Sequence, residues 1–266
     1  MPEQDLKELR RQYELQVRYN VTPDGSGSTA YATSNVVRWA ANQGRGWSEI
    51  SWSNLDQANA DEVIEEQISF FSDQRASFVW RVHDDDQPPD LGSRLIRAGL
   101  THVGNSAVMV GLSSALAQPV RVPDGTRVVR VTDQEGVDLL ISTHEKVFGH
   151  DHRALRQSIL ARLETAPHEM DMYVVTANGI PLSAARTEFL PNRDFATLWG
   201  GGTVPEWRGR GIYRALVSLR AQVAVERGYQ YLSVLASSQS KPILSTLGFD
   251  VISNIATYQW EPPVLT

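Results

Sequence analysis

The stretch Gly200-Gly201-Gly202-Thr203-Val204-Pro205-Glu206-Trp207-Arg208-Gly209-Arg210-Gly211 restricts this chain more than any other part of it. It follows a run, Phe195 to Thr203, that reads as a strand, and it opens a helix from Gly211 to Arg227. In that helix Ile212, Ala215, Leu216, Leu219 and Val223 form one apolar stripe, so the helix packs on a sheet with its N-terminus at the Arg208 to Gly211 loop. The first amides of a helix have no intrahelical partner and carry about half a positive charge, and glycine lets backbone approach a ligand closely. The loop is therefore an anion site, and Arg208, Arg210 and Arg214 add formal charge to it.

Three kinds of phosphate-binding loop share this outline. A Walker loop requires Gly-Lys-Ser/Thr, which is absent. A dinucleotide fingerprint requires an acidic residue closing the next strand, whereas Tyr231 to Leu235 runs into Ala236-Ser237-Ser238-Gln239. What remains resembles the R/Q-x-x-G-x-G/A motif of the GNAT acyltransferase superfamily, matched at Arg208 and Gly211, with Tyr213 in place of the final small residue. Pro205 ahead of the motif, the strand at Tyr231 to Leu235 and the closing Leu247-Gly248-Phe249 extend the likeness over about residues 127 to 260. The resemblance implies acetyl-CoA as cosubstrate and an amine as acceptor. It implies that the strand splays at Gly201 to Thr203, so that Gly202 and Thr203 meet the pantetheine arm, and three glycines suit a bulge there. Gly209, Arg210, Gly211, Ile212, Tyr213 and Arg214, together with Arg208, would hold the pyrophosphate.

The rest of the chain reads as alternating elements in a mixed sheet. Val128 to Val131 is a strand, Asp133 to Phe148 and Arg153 to Glu164 are helices, and Asn178-Gly179 joins the strands Met172 to Thr176 and Ile180 to Phe189 as a hairpin. A short helix at Lys241 to Leu247 precedes strands around Val251 to Trp260. Residues 113 to 127, with two prolines and Asp124-Gly125, have the composition of a connection, which divides the chain into 1–118 and 119–266. The first part echoes the end of the second. Setting Gly99 on Gly248 places Leu95 on Leu244, Asn105 on Asn254 and Ala107 on Ala256, and Phe78 to Val82 stands where Tyr231 to Leu235 does. The expectation is an α/β (α+β) protein of two tandem GNAT-like copies, each a mostly antiparallel mixed sheet flanked by helices. The first copy lacks a glycine-rich loop between strand and helix, since Gly44-Arg45-Gly46 leads into a strand-like Trp47 to Trp52. It is read as degenerate, without cofactor, closing or shaping the acceptor site.

Catalysis is harder to assign. A lysine-like amine is deprotonated in about one molecule in a few thousand at neutral pH, a handicap of about 4 to 5 kcal/mol that a base or desolvation reduces. Glu206 beside the loop and Glu188 at a strand end are the candidate bases, each equally readable as a solvated carboxylate. Thr203 or its neighbour offers an N–H to the oxyanion. The position where many GNAT proteins carry an acid tyrosine is Leu244, which leaves Tyr213 and Tyr258 as hydroxyl candidates, or water. A general acid for a thiolate is worth about 2 kcal/mol at most. Because of Leu244, a non-catalytic acyl-CoA sensor remains the alternative. His144 reads as structural, Gly149-His150-Asp151-His152 as a polar loop without metal, and Asp84-Asp85-Asp86 as a solvated loop. The formal charge of −6 gives no basic footprint for nucleic acid. Without a roughly 20-residue apolar run the expectation is no membrane span and a cytoplasmic monomer or homodimer, and the absence of cysteine excludes thiol chemistry by the protein.

Overall fold

The computed structural model describes residues 3–20, 28–41, 47–149 and 151–263. Gly44-Arg45-Gly46 and His150 lie outside the described residues. The chain forms two compact units that are not consecutive in sequence: residues 1–108, 236–241 and 251–266 make unit 1, and residues 109–235 and 242–250 make unit 2.

In chain order the elements are α1 (Glu3–Tyr13, continued by a π-helical turn at Glu14–Tyr19), β1 (Ser28–Ala32), β2 (Val36–Ala41), β3 (Glu49–Ser53), α2 (Ala60–Asp73), β4 (Phe78–His83), α3 (Leu91–Arg97) and β5 (Thr101–Leu112). There follow α4 (Ser113–Leu116), β6 (Thr126–Arg130), α5 (Gln134–Phe148), α6 (Arg153–Thr165), β7 (Met170–Ala177), β8 (Ile180–Glu188) and β9 (Phe195–Thr203). The last are α7 (Ile212–Glu226), β10 (Tyr231–Ala236), α8 (Lys241–Leu247) and β11 (Asp250–Trp260). The stretch read as a bare connection begins with a helical turn, α4, whose Ser113 amide donates to Gln230 O at 2.9 Å.

The strands of unit 1 are ordered β1-β2-β3-β4-β11-β5. β3 runs parallel to β4, whereas β11 pairs antiparallel with β4 from Ile255↔His83 to Trp260↔Phe78. The first unit is thus completed by the last strand of the chain. Its core gathers Phe71, Phe78, Trp80, Leu91, Leu95 and Trp260. The aspartate run after β4 is solvated only in part, with Asp84 and Asp85 exposed and the Asp86 side chain buried. Asp84 and Asp85 pair with Arg10, and Asp86 pairs with Arg18 at 2.9 Å with both side chains buried. The partners come from the N-terminal helix, which the local sequence around Asp84 does not reveal.

In unit 2 the order is β5-β10-β9-β8-β7-β6, with β9 parallel to β10 and the β6 to β9 run antiparallel. Asp133 caps α5 by accepting from the Gly136 amide at 2.8 Å, and Gly149 ends it in the left-handed conformation. Ala184, Val174 and Met172 pack with α5 and α6, whereas Ala185, Val175 and Tyr173 pack with Ile212 and Leu216 of α7. Alternate strand residues face opposite ways, so α5 and α7 cover opposite faces of the sheet.

The ends of α3 and α8 are built alike. Gly99 and Gly248 both have positive φ, and Leu100 and Phe249 donate back to Leu95 O and Leu244 O at 3.0 and 3.1 Å. The sequence echo at these positions is a repeated helix stop.

Candidate functional site

β9 stays paired with β10 from Phe195↔Tyr231 to Leu198↔Val234. Immediately beyond, its pairing with β8 slips: Trp199 faces Arg186 and Gly202 faces Ala184, so Gly200 and Gly201 oppose Ala185 alone. This is the bulge expected of the three glycines, one residue earlier than the sequence suggests. Each glycine is matched by a neighbour from a helix. A Cβ on Gly200 would sit 2.6 Å from the His144 ring, and one on Gly202 would sit 2.6 Å from Val147, both on α5. On the other face, a Cβ on Gly201 would approach the Tyr213 ring of α7 at 3.1 Å. The departure of Tyr213 from the motif is accommodated by this glycine.

Beyond the bulge, the Val204 amide donates to Leu182 O at 2.8 Å and so points at β8. Alternation along the strand turns the Thr203 amide and carbonyl to the opposite edge. There Arg208 Nε donates to Thr203 O at 3.0 Å, tying the first arginine of the motif back to the strand. The Thr203 hydroxyl lies 3.0 Å from Ser183 Oγ, which itself donates to Gly202 O at 2.7 Å. The strand end is therefore held by side chains on both edges.

A 3₁₀ turn at Pro205–Trp207 leads into the loop. Gly209 and Gly211 have φ of 75° and 84°, a region that favours glycine, which explains their spacing in the motif. The Ala215 amide donates to Gly211 O at 3.0 Å as the first α-helical bond of α7, so the amides of Gly211 to Arg214 precede the helical ladder. Arg208, Arg210 and Arg214 are exposed around this N-terminus, and the Arg210 guanidinium stacks over Trp207 at 4.5 Å. The expected cofactor residues Gly202, Thr203 and Arg208 to Arg214 all belong to unit 2.

Under the bulge lie two buried titratable groups. His144 Nε2 is 2.8 Å from Gly200 O; a carbonyl only accepts, so Nε2 carries the proton and the buried Nδ1 is left without a partner. Burial, with the nearby Arg186 charge, lowers the His144 pKa to about 4. Arg220 is fully buried on α7, donating to Leu216 O at 2.9 Å and Arg186 O at 3.3 Å, and burial lowers it to about 10, still protonated at neutral pH. The sequence reading passed over Arg220. Its signal was a lone charge one turn from Leu216 on an otherwise apolar helix face.

The candidate catalytic residues do not form one group. Glu188 is ion-paired with the buried Arg162 at 2.7 Å. It lies five positions along β8 from Ser183, the partner of Thr203, which is about 17 Å of strand. Glu206 is exposed in the turn before Arg208, and Tyr258 belongs to unit 1 on β11. Leu244 is fully buried. Among the described residues no three His, Cys, Asp or Glu side chains gather as a metal cluster, and no helix is long and apolar enough to cross a membrane.

No family model matches the sequence, and no curated protein matches it. Solved structures do match the fold. A GCN5-related N-acetyltransferase from Kribbella flavida superposes with a TM-score of 0.71 at 14% identity, over 96% of this chain and 95% of that one. A conserved protein of unknown function from Staphylococcus epidermidis gives 0.73 at 12%, over 96% and 100%. A tandem GNAT protein from the clavulanic acid biosynthesis pathway gives 0.60 at 12%, over 100% and 97%. The chain therefore has the fold of the GNAT acetyltransferases, and the last match extends the likeness to a tandem arrangement over its whole length.

Proposed function

We propose that this protein transfers an acetyl group from acetyl-CoA to a primary amine by direct attack. The observation that carries the reading is the Arg208 to Gly211 loop. Two left-handed glycines place the open amides of α7 and three exposed arginines beside a bulged strand end. The residues fit the cosubstrate: space is open around Gly209 and Gly211, and the Thr203 edge of β9 faces away from β8. Acetyl-CoA would supply an activated thioester. The α7 amides with Arg208, Arg210 and Arg214 hold its pyrophosphate, Gly202 and Thr203 orient its pantetheine arm, and the Thr203 amide stabilises charge on the carbonyl oxygen. Glu206 is the exposed carboxylate nearest the loop in sequence and the better base candidate, because Glu188 is committed to Arg162.

The first test is thermal. Acetyl-CoA raises the melting temperature of the wild type, and the double substitution Arg208→Ala, Gly211→Asp removes the rise; no rise in the wild type refutes the reading. Residues 1–118 and 119–266 are proposed as two ancestral copies, the first no longer holding cofactor, so calorimetry gives one CoA per chain.

A second reading, a non-catalytic acyl-CoA sensor, is favoured by the buried Leu244 and by the engagement of Glu188 with Arg162. Release of free CoA across a broad amine panel separates the two, since steady turnover on any amine excludes the sensor. We place the protein in the cytoplasm, as a monomer or homodimer.

A further inference from the structure

Unit 1 contains a cavity of about 720 Å³ that the acyl-CoA reading does not use. Its size lies within the usual span for small-molecule sites. It is walled by the end of β4 and the loop after it, the first turn of α3, the middle of β5 and β11, and the stretch from Ala236 to Lys241.

The charges on this wall are unevenly matched. Asp84 and Asp86 line the cavity, and each has an ion-pair partner from the N-terminal helix: Asp84 shares Arg10 with Asp85, and Asp86 pairs with Arg18. Asp84 also accepts from the Asn254 amide and side chain, both at 3.1 Å. Lys241 lines the cavity too, and among the described residues it has no ion pair. Its ammonium is the one charge on the wall without an ion pair among the described residues.

The neutral groups are set to meet hydroxyls. Ser253 Oγ donates to Asp84 at 3.0 Å, so His83 Nδ1, 2.8 Å away, is the donor to Ser253 and Nε2 is the accepting nitrogen. The Ser106 and Tyr258 hydroxyls, both on the wall, make no hydrogen bond among the described residues. Tyr258 is fixed in place because α3 carries Gly92 against it: a Cβ there would fall 2.2 Å from the Tyr258 oxygen. Polar atoms so placed along an open cavity are ordinarily satisfied by water or by a ligand that replaces it.

We infer that this cavity binds a small hydroxyl-bearing carboxylate, its anionic group at Lys241 and its hydroxyls at Ser106 and Tyr258. A single ammonium matches a single negative charge, and the two aspartates on the same wall disfavour a doubly charged phosphate. None of its lining residues belongs to the Arg208 to Gly211 loop, so binding there is tested apart from acyl transfer.

Three probes of one carbon skeleton test it: gluconate, glucose and glucosamine, titrated calorimetrically into the full chain without any acyl-CoA. Gluconate binds about tenfold more tightly than glucose, and glucosamine more weakly still. Lys241→Met brings gluconate to the level of glucose, Lys241→Arg keeps it, and Tyr258→Phe weakens gluconate and glucose alike; circular dichroism melts verify that each variant is folded. Equal binding of the three probes, no binding of gluconate at millimolar concentration, or unchanged gluconate binding in a folded Lys241→Met protein overturns the proposal.

Discussion

The connections β3–α2–β4 and β9–α7–β10 share one plan, a helix between two parallel neighbours, and differ in what their loops do with backbone amides. In the first, the Asp56 side chain accepts from the Ala58 and Asn59 amides at 2.8 and 2.9 Å, and Asn59 Oδ1 accepts from the Asp56 amide at 2.8 Å. The loop answers its own donors and places a carboxylate at the helix entry. In the second, glycines hold the loop open, arginines surround it, and the first amides of α7 face outward. Topology alone therefore does not make an anion site. Of the two loops, only the second combines left-handed glycines with arginines at its helix entry.

The largest effect should come from the glycine bulge of β9. Gly200→Val drives a side chain into the His144 ring and should destabilise the protein by about 3 kcal/mol or more in urea unfolding. Next, acetyl-CoA at a hundredfold excess over its Kd should stabilise the wild type by about 2.7 kcal/mol, and Arg208→Ala with Gly211→Asp should abolish this.

The third effect depends on pH. The His144 pKa is near 4 when folded against 6.5 unfolded, so its neutral form favours the fold. That contribution is complete above pH 6.5 and is lost as pH falls toward 4, amounting to about 2 kcal/mol between pH 7 and 5. His144→Gln retains a donor for Gly200 O and should flatten this part of the stability profile; an unchanged slope would mean the ring is not buried neutral. Last, Asp56→Ala should cost about 1 kcal/mol and leave acetyl-CoA binding at one per chain. A second bound CoA in this variant would show that the Asp56 side chain alone keeps the first loop from holding cofactor.

Much of this architecture was readable because it is written locally. The Asn178-Gly179 turn, the Phe195–Thr203 strand and the Lys241–Leu247 helix lie where periodicity and turn chemistry place them, and both turn residues have positive φ. The motif loop was readable for the same reason. What escaped was set by distant partners. The aspartates after β4 look solvated until Arg10 and Arg18 are brought to them, and Glu188 looks available until Arg162 is. Tyr258 was a reasonable acid candidate for the second copy, yet β11 pairs with β4 and carries it into unit 1, an exchange no local pattern records. The position of His144 was legible, but its role as the pin on Gly200 O was not.

The pairing of β11 with β4 also bears on how the chain is made. Trp260 joins the core built by Phe71, Phe78 and Trp80, so the sheet of unit 1 is not whole until β11, made long after β4, has been synthesised. The unit begun earlier is finished later. Until β11 arrives, β4 presents an unpaired edge, and removing β11 would injure a unit whose other strands lie far earlier in the sequence.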